Sequence, residues 1–242
     1  MNIMMFLFWL GCSLNTTPIK SCQTHVDCQY SFGFGHICGS NGLCSELQPI
    51  DRCFLSFPSE MYSLEMGDEF DENIVVDWST YGNNKIVGVL FDHSFNQPRI
   101  DAVNLAAHTV RDNFGEDFIL VHCDYQNDDF NEFDGLHEEE AVQVVTSYLA
   151  EELGVPVIIG PSGSSDVEAA YQITSQTDTV LISPSASSPS LTGLDGFWRT
   201  VGSDDVQGRI LANIVLENIA TQELDNEVHI VYENYSYGQN FY

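Results

Sequence analysis

The chain has 242 residues, with 36 Asp and Glu against 7 Lys and Arg, a net charge of −29. So few cations exclude nucleic-acid binding, which depends on Lys and Arg neutralising phosphates, and the acidic excess reads as a solvated surface that keeps the protein soluble. A hydrophobic content of 43% allows one large domain or two small ones.

Residues 1–11 are apolar and end in Leu10-Gly11-Cys12. The run is too short to cross a bilayer but suits the apolar part of a signal peptide. Its end resembles a bacterial lipobox, which implies lipidation of Cys12 and a membrane anchor in the periplasm or cell envelope. Residues 13–53 hold a Cys-rich module. Cys22, Cys28, Cys38 and Cys44 are spaced C-x5-C-x9-C-x5-C, without the close C-x2-4-C pairs of zinc ribbons. They read as a small disulfide knot of an oxidising compartment, of unstated connectivity. Cys53 and Cys123 either form a third bridge or leave Cys123 a buried thiol. Residues 54–84 are mixed, acidic and aperiodic, an expected linker with a possible short strand at 74–78.

From residue 85 the chain alternates. Apolar β-runs are expected at 85–91, 118–123, 155–159 and 179–183, with a further extended segment at 197–201. A loop at 92–98 leads into the first helix, with Ile100, Val103, Leu105, Ala106, Ala107, Val110 and Phe114 expected on its apolar face. The second helix is expected at 141–153, after an acidic loop at 128–140. Ser165 and Glu168 have capping-box spacing, and Val167, Ala170, Tyr171 and Thr174 share a face of a third helix. A strongly apolar helix at 207–220 and a strand at 227–232 complete the order. Strands alternating with helices predict an α/β fold with a doubly wound parallel sheet. The last strand begins so near the end that the sequence is expected to be a fragment.

Two of the expected strands, 155–159 and 179–183, pass directly into loops of small hydroxylated residues. Open α/β sheets bind ligands at such carboxyl ends, and the first loop meets a helix N-terminus, where backbone N–H groups favour an anion. The pattern predicts a pocket for a small molecule bearing a carboxylate or phosphate.

Four pieces in order carry a resemblance: Val157-Ile-Ile-Gly-Pro-Ser-Gly-Ser-Ser165; Ile182-Ser-Pro-Ser-Ala-Ser-Ser-Pro-Ser-Leu-Thr192; Phe197-Trp-Arg-Thr200 with Ser203-Asp-Asp-Val-Gln-Gly208; and Tyr235-Ser-Tyr-Gly238. Over residues 85–242 the chain resembles the type 1 periplasmic-binding-protein superfamily, especially the branched-chain amino-acid binding proteins of ABC importers and related receptor ectodomains. The resemblance implies two Rossmann-like lobes that close on a ligand by a hinge. Residues 85–202 would be the first lobe, and 203–242 the start of a truncated second. It further implies that Ser164 and Ser187, with Ser165 beside them, hold a ligand carboxylate. The backbone carbonyl of Ser185, next to Ala186, would meet an ammonium group, and Tyr237 would close over the ligand. The family's acidic partner for that ammonium would lie beyond the present sequence. An amino acid or similar carboxylate is the implied ligand, an ABC permease the implied partner, and no cofactor or metal is implied.

Other chemistry is poorer in signal. Gly160-Pro-Ser-Gly-Ser164 has Ser where a nucleophile elbow needs Gly, and no motif presents a His to Ser162. His137 precedes three glutamates and reads as a solvated helix start. His122 and Asp124 share one strand face and read as a strand-end polar pair rather than metal ligands. Asn15-Thr-Thr17 and Asn234-Tyr-Ser236 fit the glycosylation pattern of a eukaryotic secretory pathway. The expected protein is therefore not an enzyme. Its rivals are a sensory ectodomain of the same fold, a serine hydrolase using Ser162, and a surface protein in which the Cys-rich module does the binding.

Overall fold

A computed structural model describes residues 20–33, 35–47, 50, 52–56, 86–116, 118–126, 138–222, 227–232, 234 and 236–239. Cys12, the expected strand at 74–78 and His137 lie outside the described residues.

The Cys-rich module is a short helix, α1 (His25–Phe32), followed by a two-stranded antiparallel hairpin of β1 (His36–Cys38) and β2 (Cys44–Glu46). Helix α1 starts where Asp27 Oδ2 accepts from the backbone N–H of Thr24 at 3.0 Å, an acid satisfying N-terminal donors that have no helical acceptor. Disulfides join Cys22 to Cys38 and Cys28 to Cys44. So small a unit has little core of its own, and covalent ties substitute for one. It also shares the core of the larger unit. Gln29, 6% exposed, donates through Nε2 to the carbonyl of Leu153 at 2.9 Å, and Leu47 packs into the main cluster.

The larger unit is a six-stranded sheet in the order β3-β5-β4-β6-β7-β8. Its strands are β3 (Cys53–Ser56), β4 (Ile86–Phe91), β5 (Ile119–Asp124), β6 (Val157–Ile159), β7 (Val180–Ser183) and β8 (Phe197–Arg199). Strands β4 to β8 are parallel, and β3 pairs antiparallel with β5 at the edge. β3 comes from the expected linker region, where four residues carry no readable period. Its first residue faces Cys123, and the two cysteines are bridged across the ladder. The third disulfide is therefore formed, and Cys123 is not a free thiol.

Alternate residues of each strand face opposite layers. Leu90, Val121, Ile158, Leu181 and Phe197 pack with Leu149, Leu153 and Val167 in the larger cluster. That layer contains α3 (Glu138–Ser147), its continuation as one π-helical turn (Tyr148–Glu152), and α4 (Ser164–Thr174). On the other face Val89, Phe91 and Leu120 pack against Ile100 and Ala107 of α2 (His93–Phe114). Helices thus cover both faces, as a doubly wound sheet requires. An apolar groove of about 350 Å³ remains between α2 and the sheet, lined by Val87, Phe91, Val103, Val110, Phe118 and Ile159 among others.

Three expectations need correction. The loop at 92–98 is instead the first turns of α2: Asp92 caps it, accepting from Ser94 N at 2.8 Å, and only Asn96 departs from helical dihedrals, two residues before Pro98. The helix breaks at Asn96 and restarts, so Pro98 falls in the first turn of the second segment, where its missing N–H costs no helical hydrogen bond. The capping box of Ser165 and Glu168 does not start α4, because the cap is Gly163 and Ser165 falls inside the first turn. Glu168 instead accepts from the Ser190 hydroxyl at 2.6 Å. Residues 227–232 form no strand; Val228, Ile230 and Val231 are exposed. An apolar run pairs as a strand only against a neighbour that takes its backbone hydrogen bonds, and none lies beside it among the described residues. The chain continues from β8 into α5 (Asp204–Gln222), with Ile210, Leu211 and Ile214 exposed, and into a last short helix, α6 (Ser236–Gln239). Among the described residues no helix is long and apolar enough to cross a membrane.

Candidate functional site

Taken in sequence, the parallel strands stand in the order second, first, third, fourth, fifth, so the chain reverses direction across the sheet between β4 and β6. Such a switch point leaves a crevice beyond the strands' carboxyl ends. The loop leaving β6 must pass close to β4 there. Gly160 has φ 107°, and a Cβ at this position would stand 1.9 Å from the Leu90 carbonyl oxygen, so only glycine fits.

The two serine loops leave the adjacent strands β6 and β7, and they are tied together along their length. Gly160 N donates to Ile182 O at 2.8 Å, and the Ser183 hydroxyl to Pro161 O at 2.6 Å. The Ser185 hydroxyl donates to Ser162 O at 3.0 Å, and Ser188 N to the Ser164 hydroxyl oxygen at 3.3 Å. Ser164, Ser185, Ala186 and Ser187 are thus brought together on one side of the sheet, with Ser165 next on α4. Ser164 and Ser187 are 5% and 8% exposed, and Ala186 is buried at 1%. Tyr237 lies on α6, which packs against α4, and is 46% exposed. Arg199 Nη1 holds the second loop from below, donating to Ser188 O at 2.8 Å.

Two acids that the sequence reading passed over stand within this cluster. Asp204, 3% exposed at the start of α5, receives the Ser187 hydroxyl on Oδ2 at 2.9 Å and donates its own N–H to Ser187 O at 2.9 Å. The second loop and α5 are therefore joined by a reciprocal pair. Asp166, in the first turn of α4, accepts from the buried Tyr125 hydroxyl at 2.9 Å. A Cβ on Gly163 would lie 2.5 Å from Asp166 Oδ2, so the carboxylate is folded back over the helix start. Burial pushes the Asp166 carboxyl above its usual range, against hydrogen bonds from Tyr125 and the Gly163 backbone; Asp92 and Glu139 add to the upward push. The only signal for Asp166 in the sequence was an acid three residues after a glycine. For Asp204 it was the Ser-Asp-Asp run quoted for the resemblance.

The start of α2, directly after β4, completes the crevice. The Ser162 hydroxyl donates to Asn96 Oδ1 at 2.7 Å, and Arg99 Nη1 donates to the same oxygen at 2.8 Å. An amide oxygen is no general base, so Ser162 is not activated as a hydrolase nucleophile requires. His122 is fully buried and reaches Asn104 Oδ1 through Nε2 at 3.1 Å. Burial, and secondarily the nearby His93, push its pKa down to about 3. Asp124 accepts the His93 backbone N–H at 3.2 Å. Among the described residues the one group with metal-ligand spacing is Cys22, Cys28 and Cys38, all in disulfides.

Comparison with known proteins agrees with this architecture. The leucine-specific-binding protein of Salmonella typhimurium is 30% identical over 108 residues, covering 44% of this chain and 28% of that protein. The Leu/Ile/Val-binding protein homolog 3 of Brucella melitensis is 26% identical over 88 residues, 36% of this chain and 23% of that one. The chain thus spans less than a third of the length of these relatives. An ABC transporter substrate-binding protein from Desulfitobacterium hafniense, solved in complex with Leu, superposes with a TM-score of 0.51 at 23% identity, over 65% of this chain and 44% of that one. A solute-binding protein of an ABC transporter from Rhodopseudomonas palustris, in complex with 3,4-dihydroxy benzoic acid, gives a TM-score of 0.51 at 16% identity, over 66% and 42%. At such identities the likeness is one of fold, that of type 1 periplasmic binding proteins. Residues 101–240, more than half of the chain, match the family described as the receptor family ligand binding region, and the chain belongs to that family.

Proposed function

We propose that this chain is the first lobe, residues 85–202, and the beginning of the second, residues 203–242, of an extracytoplasmic solute-binding protein that captures an amino acid for an ABC importer. The observation that carries this reading is the junction of the two serine loops, with Ser164 and the Ser187–Asp204 pair on one side of the sheet. Ser187 has a single hydroxyl hydrogen and gives it to Asp204. Its lone pairs, the Asp204 carboxylate and the Ser185 carbonyl then suit an ammonium group, in place of the ligand carboxylate that the resemblance assigns to Ser187. Ser164 accepts from Ser188 N and keeps its own hydrogen for a ligand carboxylate. Tyr237 would close from the second lobe, adding contacts only in the closed state, which is how a ligand shifts such an equilibrium.

Three disulfides support an oxidising, extracytoplasmic location. The proposed tether is a lipid on Cys12, after a signal peptide at 1–12, which would hold the protein at the membrane beside its permease. The Cys-rich module at 13–53, docked through Gln29 and Leu47, serves in this reading as a brace for the lobe. The test is a titration of the 15N-labelled chain with leucine, followed by amide chemical shifts. Saturable shifts at Ser164, Ser187 and Asp204, weakened at least fivefold in Ser187→Ala, are expected. Absence of any shift in those loops with leucine or other amino acids at tens of millimolar would overturn the reading.

A further inference from the structure

The two fold neighbours described above hold chemically different acids: leucine, which has an ammonium group, and 3,4-dihydroxy benzoic acid, which has none. The fold leaves ligand charge open, so the charge must be set by side chains at the crevice. In this chain the helix starts that meet the crevice carry their own acids. Asp92 caps α2, accepting from both the backbone and the hydroxyl of Ser94 at 2.8 Å and 2.6 Å. Asp166 lies over the start of α4, bonded to Tyr125 and the Gly163 backbone. Asp204 opens α5 and is buried against Ser187. A free helix N-terminus attracts an anion through its unpaired N–H groups and dipole; one already occupied by a carboxylate has spent part of that attraction.

We propose that Asp166 is a specificity-determining residue, restricting the site to ligands that carry an ammonium or other cationic group and rejecting carboxylates that lack one. This rests on the amino-acid-binding reading above and narrows its ligand class. Asp166 stands two residues from Ser164 in the first turn of α4, with its carboxylate over Gly163, so a ligand carboxylate drawn to Ser164 approaches a helix start that already carries a negative charge. The groups facing Asp166 do not offset it: Asp92 comes from the cap of α2, Glu139 from α3, and Tyr125, from the turn after β5, supplies a neutral hydroxyl. No guanidinium is among the charged groups that act on Asp166; Arg99 bonds Asn96, and Arg199 bonds Ser188 O and Thr192. A ligand ammonium beside Asp204 restores the balance, because a zwitterion brings its own positive charge to the same place. Burial, which holds the Asp166 carboxyl above its usual range, also reduces screening by solvent, so the discrimination survives moderate salt.

The experiment compares three probes by amide shifts of the full chain: leucine, lysine, and 4-methylpentanoate, which is leucine without its ammonium group. Leucine and lysine are expected to move the serine-loop signals, with 4-methylpentanoate at least tenfold weaker. Asp166→Asn keeps an acceptor for Tyr125 and for the Gly163 N–H while removing the charge. It is expected to tighten 4-methylpentanoate at least fivefold and to change leucine less than threefold. Should that variant not fold, Asp166→Ser removes the same charge and is expected to narrow the preference for leucine over 4-methylpentanoate in the same direction. Equal binding of 4-methylpentanoate and leucine, or selectivity unchanged in Asp166→Asn, overturns the role of Asp166 and leaves the serine-loop site standing. No response to any probe removes the site itself, and this inference with it.

Discussion

His122 sits in the sheet as a neutral imidazole, and its cost should be visible as a loss of stability in acid. Its ring is 1% exposed on the face covered by α2 and hydrogen-bonds to Asn104. The folded protein holds its pKa at about 3, against 6.5 for an unperturbed histidine. As pH falls below 6.5 the unfolded chain takes up this proton and the folded one does not, so stability declines, and it stops declining only near pH 3. With about 1.4 kcal/mol per pH unit, the step from pH 7 to pH 5 removes about 2 kcal/mol through this one residue. His122→Gln abolishes that proton uptake, whatever it costs in packing. Urea unfolding followed by far-ultraviolet circular dichroism, under non-reducing conditions, should show the variant losing about 2 kcal/mol less than the native chain between pH 7 and pH 5. His93 is also held below its usual range, by burial against the opposing pull of Asp124 and Asp92, and it keeps its own contribution in both proteins. Parallel stability–pH lines for native and variant would refute the assignment of a buried neutral His122.

Two further perturbations test the frame around the site. Replacing Cys53 and Cys123 together by Ala opens a link spanning 70 residues and frees edge strand β3. The expected loss in urea unfolding is about 4 kcal/mol on loop entropy alone, and a loss below about 1 kcal/mol would mean that β3 is held without the bridge. Gly160→Ala places a methyl 1.9 Å from the Leu90 carbonyl oxygen at φ 107°. It is expected to destabilise by more than about 3 kcal/mol or to prevent folding, whereas Gly193→Ala, at φ 82° with nothing within 4 Å, should lower the thermal midpoint far less.

Much of the scaffold was legible because its signals are local. Runs such as Val-Gly-Val-Leu-Phe and Ile-Leu-Val-His-Cys are too apolar to lie anywhere but in a covered sheet, and the helix between them repeats its apolar residues on one face. The serine loops stood out because each follows a strand directly. Strand β3 was missed because four residues hold too little pattern, and it exists only through pairing with β5. Residues 227–232 erred the other way, with a good β-run and no partner strand among the described residues. The start of α2 was misread because Pro98 suggests a loop, although it follows the break at Asn96 and sits in the first turn of the restarted segment.

What the chain's order of residues determined by itself was the alternation of strands and helices, the side of the sheet on which ligand loops must fall, and the presence of a disulfide-bonded module. The periods of 2 and 3.6 and the spacing of cysteines are properties of neighbours in sequence. Only the tertiary structure decided which cysteines pair, that the module shares the lobe's core, and that Asp166 meets Tyr125 and Asp204 meets Ser187. Those facts join residues 16 to 124 positions apart, and no local rule connects such residues: their meeting is fixed by how layers pack and by which buried polar groups must find partners.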